Sequence, residues 1–261
     1  MTAQTKGGAI VTGAARGIGH QIASGLAEDG YGVVIADLDE KTGSAAAEAL
    51  RAKGHDVVFA RVDVVDRASL KAAVDLARSK FGSLRVMVNN AGFNKPEPFL
   101  EATEKTWRAI LEVNSLGVLI GTQEAAKAMI ADNVKGKIIN TASIAGRQGY
   151  AEFAPYCASK ASVISLTQAG AREFAKHRIT VNAFAPGVVV TPLWDGLEQD
   201  MLDKGAIKKK GEFIESFSSS ILLGFPSKPA DLGGIAAFLA SADSDYITGQ
   251  VIMADGGMVL V

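Results

Sequence analysis

The fold is decided by the stretch Ala9-Ile-Val-Thr-Gly-Ala-Ala-Arg-Gly-Ile-Gly19. The apolar run at 9–12 predicts a buried strand, and Ile18, Ile22 and Leu26 share one face of a helix that ends at Gly30. Glycines between a strand and a helix let the main chain approach a pyrophosphate, and the helix N-terminus offers free N–H groups and partial positive charge. A glycine-rich loop is often only a turn, but this setting predicts a dinucleotide site formed by Gly13, Arg16, Gly17, Ile18 and Gly19.

A second apolar run, at 31–37, ends in the carboxylate of Asp37. An acidic residue about 20 positions after the glycine loop accepts hydrogen bonds from the adenosine ribose hydroxyls and repels a 2′-phosphate. Asp37 therefore favours NAD(H) over NADP(H) as the cofactor. Arg16 is evidence for the opposite preference, since a cation in the loop can meet a 2′-phosphate. Asp37 can also serve as a helix N-cap before Glu40.

The rest of the chain continues this alternation of strands and helices. Strands are predicted at 57–60, 85–88, 137–141, 180–184 and 250–254, with Val62-Asp63-Val64 following the first of these. Helices are predicted at 41–53, 68–81, 103–130 and 231–240, and around Tyr156. Repeated crossovers of this kind produce an α/β, doubly wound parallel sheet with helices on both faces, a Rossmann fold. Ligands bind beyond the carboxyl ends of such strands, where the sequence places Gly13, Asp37, Asn89, Ser143 and Pro186.

The pattern changes in one segment, residues 192–220, which is polar and partly helical. Long insertions in compact domains are usually functional, so this segment is predicted to be a lid over the substrate. It is too small for a separate domain. Residues 1–261 are therefore predicted to form one dinucleotide-binding domain.

Composition narrows the class of protein. The chain of 261 residues has 27 Lys and Arg against 28 Asp and Glu, and no basic run is interleaved with aromatic residues, so nucleic acid is not expected as a partner. The run Lys208-Lys209-Lys210 is interpreted as a solvated turn. The N-terminal residues are polar and resemble no signal peptide, and no apolar run is long enough to cross a bilayer. A soluble, cytoplasmic protein without a membrane partner is expected.

Cysteine and histidine are scarce. The single cysteine, Cys157, excludes an internal disulfide and fits a reducing compartment. It is interpreted as a buried packing residue rather than a nucleophile. The three histidines, His20, His55 and His177, are far apart in sequence, so no metal site is predicted and a zinc-dependent alcohol dehydrogenase is excluded.

The chemistry is predicted from Tyr156 and Lys160, which are four residues apart. At helical spacing they lie on one face, where an ammonium group favours the phenolate and is expected to lower the tyrosine pKa. Tyr156 is then a candidate general acid and base. Ser143 follows the apolar strand at 137–141, where its hydroxyl can hydrogen-bond a substrate oxygen. Such a Tyr and Lys pair also occurs on ordinary solvated helices, so the remaining motifs decide whether the pair is catalytic or only part of a solvated helix face.

These motifs resemble the short-chain dehydrogenase/reductase family over nearly the whole chain. The stretch Thr12-Gly-Ala-Ala-Arg-Gly-Ile-Gly19 is similar to the cofactor loop of the family, and Asn89-Asn-Ala-Gly92 to its second signature. The resemblance implies a catalytic tetrad of Asn114, Ser143, Tyr156 and Lys160. In it Tyr156 transfers the proton, Lys160 also binds the nicotinamide ribose, Ser143 orients the substrate oxygen and Asn114 holds a water for proton relay.

The same resemblance implies further cofactor contacts. Asp63 and Val64 would contact the adenine, Asn90 and Gly92 would line the cofactor cleft, and Val189 and Thr191 would approach the carboxamide. Pro186 and Gly187 are assigned to the same cleft. The family is usually tetrameric, so a homotetramer is expected.

The C-terminal third is similar to the acetoin reductases, also called 2,3-butanediol dehydrogenases, within this family. Polyol dehydrogenases of the sorbitol and galactitol type share much of the same pattern. The expected substrate is therefore a small hydroxyketone or diol, with a polyol as the alternative and a non-catalytic NAD(H)-binding regulator as the alternative of another class. The predicted substrate pocket contains Ser143, Ile144, Gln148, Tyr156 and Trp194. Trp194 would either wall the pocket or plug the lid.

Overall fold

The computed structural model describes residues 5–203, 205 and 207–261 of the chain. Residues 1–4, 204 and 206 belong to the predicted single domain, and 204 and 206 also belong to the predicted lid, but they lie outside the described residues. The side chains of residues 192, 193 and 195 lie outside them as well.

A parallel sheet is the centre of the described structure. Its seven strands have the spatial order β3-β2-β1-β4-β5-β6-β7. Their bounds are β1 Gly8–Thr12, β2 Gly32–Asp37, β3 Val57–Arg61, β4 Leu84–Asn89, β5 Lys137–Thr141, β6 Thr180–Pro186 and β7 Val251–Ala254. The strand order reverses direction between β1 and β4, which is the switch point where such sheets bind ligands.

The helices that connect the strands cover both faces of the sheet. Their bounds are α1 Gly17–Glu28, α2 Glu40–Ala52, α3 Arg67–Phe81, α4 Glu104–Leu111, α5 Gly117–Ala131, α6 Ala154–Phe174, α7 Pro192–Asp203, α8 Glu212–Ser218 and α9 Ala230–Ala240. Successive strand residues face opposite sides, so Val11 of β1 packs in one core with α1, α2 and α9, whereas Ile10 packs in the other with α3 and α5. The predicted doubly wound α/β fold is confirmed.

One predicted helix, 103–130, is wrong as a single α-helix. A π-helical turn, Glu112–Leu116, separates α4 from α5 and contains Asn114. A π turn inserts one extra residue into the helical repeat and is frequent at functional sites. The apolar periodicity on either side is hardly changed, so the sequence does not reveal the insertion. Its consequence is that Asn114 points into the protein and is completely buried.

The described part of the chain contains no helix that is both long and apolar enough to cross a membrane.

Candidate active site

The glycine loop between β1 and α1 is built for close approach of a ligand. Gly13 and Gly17 have φ values of +64° and +60°, a conformation that side chains disfavour. A Cβ atom on Gly19 would lie 2.3 Å from the main-chain oxygen of Gly13, so only glycine fits there. Arg16 is the N-cap of α1 and makes no capping hydrogen bond with its side chain. The first N–H groups of α1 can therefore bind an anionic group such as a phosphate.

Thr12 and Asn90 connect this loop to the end of β4. The Thr12 hydroxyl accepts hydrogen bonds from the main-chain N–H groups of Asn90 and Ala91, at 2.9 and 3.0 Å. In return, the Asn90 amide donates to the main-chain oxygens of Thr12 and Gly13, at 3.0 and 3.2 Å. Asn90 thus braces the glycine loop as well as lining the cleft beside it.

Asp37 lies at the end of β2, at the wall of the same cleft. Its carboxylate accepts hydrogen bonds from the main-chain N–H groups of Ala15, at 2.9 Å, and Asp39, at 3.0 Å. It is not the N-cap of α2, because Asp39 takes that position and accepts from Thr42. Asp39 also pairs with Arg16 at 3.5 Å. Arg16, whose charge was the argument for NADP(H), therefore has a carboxylate partner.

Lys160 lies under the other end of the cleft. Its side chain is buried, and its ammonium group donates a 2.8 Å hydrogen bond to the main-chain oxygen of Thr141, at the end of β5. Burial lowers the pKa of Lys160 to about 8. The ammonium nitrogen is 5.7 Å from the centre of the Tyr156 ring, so the two side chains share one face of α6, as the spacing predicts.

The expected lowering of the Tyr156 pKa is wrong for this structure. Burial raises the pKa of Tyr156 to about 12, and the opposing effect of a hydrogen bond with Ser143 is smaller. Desolvation disfavours the phenolate more than its neighbours favour it. Tyr156 is consequently a phenol at neutral pH, able to donate a proton.

Ser143 is held by the turn that follows β5. It is the N-cap of a short 3₁₀ helix, Ile144–Gly146, and its hydroxyl accepts a 3.1 Å hydrogen bond from Ala145. This turn packs directly on α6, since a Cβ atom on Gly146 would lie 2.7 Å from the main-chain oxygen of Lys160. The contact sets the distance between Ser143 and the Tyr156 helix.

Asn114 uses its amide group to join the loop after β4 to α6. It accepts a 3.0 Å hydrogen bond from the Phe93 N–H, and it donates to the Phe93 main-chain oxygen at 2.9 Å and to the Ser159 hydroxyl at 3.0 Å. A Cβ atom on Gly92 would lie 3.0 Å from the Asn114 side-chain oxygen and 3.6 Å from the Lys160 nitrogen. The π turn thus brings Asn114 next to the Lys160 ammonium. The predicted water relay is not tested by these contacts.

The cleft has a volume of about 700 Å³, within the range of about 300–1,000 Å³ that ligand sites occupy. It is lined by most of the predicted site residues, namely Gly13, Arg16, Gly17, Ile18, Gly19, Asp37, Val64, Asn90, Gly92, Ser143, Ile144, Tyr156, Lys160, Pro186, Gly187, Val189, Thr191 and Trp194. These residues come from loops, strand ends and helices that are far apart in the chain. The carboxyl ends of the parallel strands bring them together.

Three predicted residues do not line the cleft. Asn114 is buried behind it. Asp63 turns its carboxylate to the main-chain N–H of Val65, and its neighbour Val64 lies at the wall instead. Gln148 is exposed and donates to the Tyr150 hydroxyl, so the prediction that Gln148 lines the substrate pocket is wrong. The chain turns outward after the 3₁₀ helix, and Tyr150 takes the position at the wall.

Four aromatic side chains form the wall at the Ser143 end of the cleft: Tyr150, Phe153, Trp194 and Phe217. We call them the aromatic wall. The rings of Tyr150 and Phe217 are 5.1 Å apart, and those of Trp194 and Phe217 are 6.0 Å apart. Sequence reasoning found only Trp194. The available signal was the pair Phe213 and Phe217, whose spacing of four puts both rings on one face of a helix.

Comparison with known proteins agrees with this geometry. The family model described as short chain dehydrogenase matches residues 8–202. A diacetyl reductase [(S)-acetoin forming] of Staphylococcus epidermidis is 43% identical, with 96% of this chain and 98% of the relative covered. An L-2,3-butanediol dehydrogenase of Corynebacterium glutamicum is 44% identical with the same coverage.

Solved structures are similar over the same length. A gluconate 5-dehydrogenase from Burkholderia cenocepacia, in complex with NADP and tartrate, superposes with a TM-score of 0.88 at 33% identity, with 97% of this chain and 95% of the other covered. A short-chain type dehydrogenase/reductase from Mycobacterium marinum has a TM-score of 0.85 at 30% identity, with 98% and 96% covered. The predicted resemblance is confirmed, and the chain belongs to the short-chain dehydrogenase family of oxidoreductases.

Proposed function

We propose that this chain is an NAD(H)-dependent oxidoreductase that interconverts acetoin or diacetyl with 2,3-butanediol. The observation that carries the proposal is that the aromatic wall lines the same cleft as Ser143 and Tyr156, and that three of its rings pack in one cluster with Tyr156. A small diketone or hydroxyketone has methyl groups that such rings can cover, with its reacting oxygen left for the two hydroxyls. The names of the two curated relatives support the same substrate class.

The chain's own residues supply the proton transfer and the orientation. Bound NADH would supply the hydride. Ser143 donates a hydrogen bond to the carbonyl oxygen, and Tyr156, which is a phenol at neutral pH, gives that oxygen its proton. The Lys160 ammonium, fixed by Thr141, stabilises the phenolate that is left behind. In the direction of alcohol oxidation the same phenolate takes the proton back.

The glycine loop, the uncapped start of α1 and Asp37 fit a dinucleotide. The Asp37 carboxylate would accept hydrogen bonds from the adenosine ribose hydroxyls, and its charge would repel a 2′-phosphate. Arg16 is partly neutralised by Asp39. These charges support NAD(H) as the preferred cofactor.

A polyol dehydrogenase remains the alternative, supported by the structural likeness to a gluconate 5-dehydrogenase. A sugar alcohol carries a hydroxyl on every carbon, and each buried hydroxyl needs a hydrogen-bonding partner. The aromatic wall offers only two such groups, the Trp194 indole N–H and the Tyr150 hydroxyl, and the latter already bonds Gln148. The wall therefore favours the smaller and less polar substrate.

The test is the loss of NADH absorbance at neutral pH with acetoin, diacetyl, fructose and tagatose in parallel, and with NADPH as the cofactor control. Fast oxidation with acetoin or diacetyl supports the proposal. Activity with the ketoses alone would replace it with the polyol alternative.

The variant Tyr156→Phe separates an enzyme from a non-catalytic NAD(H)-binding regulator. Loss of the phenol should lower kcat by about 10²–10⁴-fold, the usual contribution of a general acid, while NADH binding, measured by fluorescence titration, is retained. Unchanged turnover would refute the acid and base role of Tyr156.

The homotetramer and the cytoplasmic location stay predictions. Apolar side chains that are largely exposed, among them Phe99, Leu100, Leu260 and Val261, support burial against another subunit. The molar mass in solution, measured by light scattering, tests the tetramer.

A further inference from the structure

Helix α8 is a weak element that carries part of the substrate end of the cleft. It has seven residues, and its N-cap, Gly211, has a φ of +91° and no side chain to cap the helix. A helix this short is not stable alone, because most of its N–H and C=O groups are terminal. It nevertheless contributes Phe217 to the aromatic wall and holds Phe213 beside that ring.

The missing cap is supplied from α7 by Glu198. Its carboxylate accepts hydrogen bonds from the Gly211 N–H, at 2.8 Å, and from the Ile214 N–H, at 3.2 Å. Gly211 is the N-cap and Ile214 the third helical position, and these are the two N–H groups that the side chains of a capping box satisfy. Its negative charge also lies at the positive end of the helix dipole. Glu198 is 4% exposed, so water does not replace these bonds easily.

The capped helix is joined to the cleft by aromatic contacts. Phe213 lies 5.6 Å from Trp194 of α7 and 5.9 Å from Phe153, measured between ring centres. Phe217 lies 5.1 Å from Tyr150. The position of α8 therefore sets the position of the aromatic wall. Glu198 itself is not among the described residues that line the cleft.

We propose that Glu198 is a positioning residue for substrate specificity. By capping α8 it holds Phe217 in the aromatic wall and Phe213 beside it, and so sets the affinity for the carbonyl substrate without touching substrate or cofactor. This role depends on the proposed function only for the choice of substrate. A purely structural role would instead lower the stability of the whole domain and raise KM for the carbonyl substrate and KM for NADH alike.

The experiment uses Glu198→Gln, which keeps the size of the side chain but removes the charge and one of the two acceptors. The control is Glu215→Gln on α8, where the glutamate is exposed. Both are made in a Trp107→Phe background, so that Trp194, the other of the two tryptophans, reports on the lid. We measure KM for acetoin and diacetyl, KM for NADH, kcat, thermal unfolding and tryptophan emission.

Glu198→Gln should raise KM for the carbonyl substrate about fivefold, the factor that corresponds to loss of one helix cap. KM for NADH should stay within twofold, and Trp194 emission should shift to the red as Phe213 and Phe217 leave it. Glu215→Gln should change none of these quantities. The emission shift needs no turnover, so it tests the role of Glu198 even if the proposed substrates prove wrong.

Two results would overturn the role of Glu198. The first is an unchanged carbonyl KM together with unchanged Trp194 emission. The second is an equal rise in KM for the carbonyl substrate and KM for NADH, together with a lower unfolding temperature. If Glu198→Gln does not fold, amide hydrogen exchange in the wild-type protein decides: slow exchange at Gly211 and Ile214 supports the cap, and exchange at the rate of unprotected amides refutes it.

Discussion

The buried, protonated Lys160 side chain is predicted to destabilise the native state. Burial lowers the pKa of its ammonium group from 10.5 to about 8. Each pKa unit corresponds to about 1.4 kcal/mol, so the protonated side chain costs the native state about 3 kcal/mol at neutral pH. Replacement by Met, which has a similar length and no charge, removes this cost. It also leaves the Thr141 oxygen without its donor, which costs about 1–3 kcal/mol.

These opposing effects nearly cancel at pH 7, so the pH dependence is the decisive quantity. Between pH 8 and pH 10.5 the unfolded chain keeps the Lys160 proton and the native protein has lost it. The free energy of unfolding of the wild-type protein therefore rises with pH in this window. Lys160→Met lacks this rise. We expect the stability of the wild-type protein relative to the variant to increase by about 2–3 kcal/mol between pH 7 and pH 10.

The assay is guanidinium denaturation of both proteins at several pH values. Lys105→Met, at an exposed position, is the control and should follow the pH dependence of the wild-type protein. Turnover of Lys160→Met should be lost at every pH, because in the proposed mechanism the Lys160 ammonium group supports the phenolate of Tyr156. A stability difference that does not change with pH would refute the reasoning, since it would mean that Lys160 is not desolvated in the native protein.

Two further predictions concern the cofactor end of the cleft. Gly19→Ala should weaken NADH binding, measured by fluorescence titration, about tenfold or more and lower the unfolding temperature, because its Cβ would lie 2.3 Å from a main-chain oxygen. Gly25→Ala, on the same helix with open space around it, should neither weaken NADH binding nor lower the unfolding temperature. Asp37→Asn keeps the shape but removes the charge, and should raise the ratio of kcat/KM with NADPH to that with NADH about tenfold. An unchanged ratio would show that the charge of Asp37 does not select the cofactor.

Local patterns were enough to predict the fold and most of the cleft. The strand, glycine loop and helix at 9–26 can be predicted from this stretch alone, because glycine alone permits the turn at Gly13 and the contact at Gly19. The spacing of Tyr156 and Lys160 determines their common helix face. Parallel strands place their carboxyl ends at one edge, so residues as distant as Asp37 and Ser143 were predicted to meet.

Other features depend on contacts between segments that no local pattern encodes. The π turn at Asn114 exists where the amide of that residue bonds the main chain of Phe93. Gln148 is exposed and bonds the Tyr150 hydroxyl, while Tyr150 lines the cleft. The direction of the Tyr156 pKa shift differs from the prediction for a related reason: spacing reveals that Lys160 is near but not that Tyr156 is buried, and burial raises its pKa.

Periodicity and motifs within short stretches were thus sufficient to predict the sheet and the family, and they are the source of the proposal for the reacting side chains. Only the tertiary structure decided the aromatic wall and the capping of α8 by Glu198. A wall and a cap built from separate helices depend on how those helices pack, and packing is a property of the whole chain.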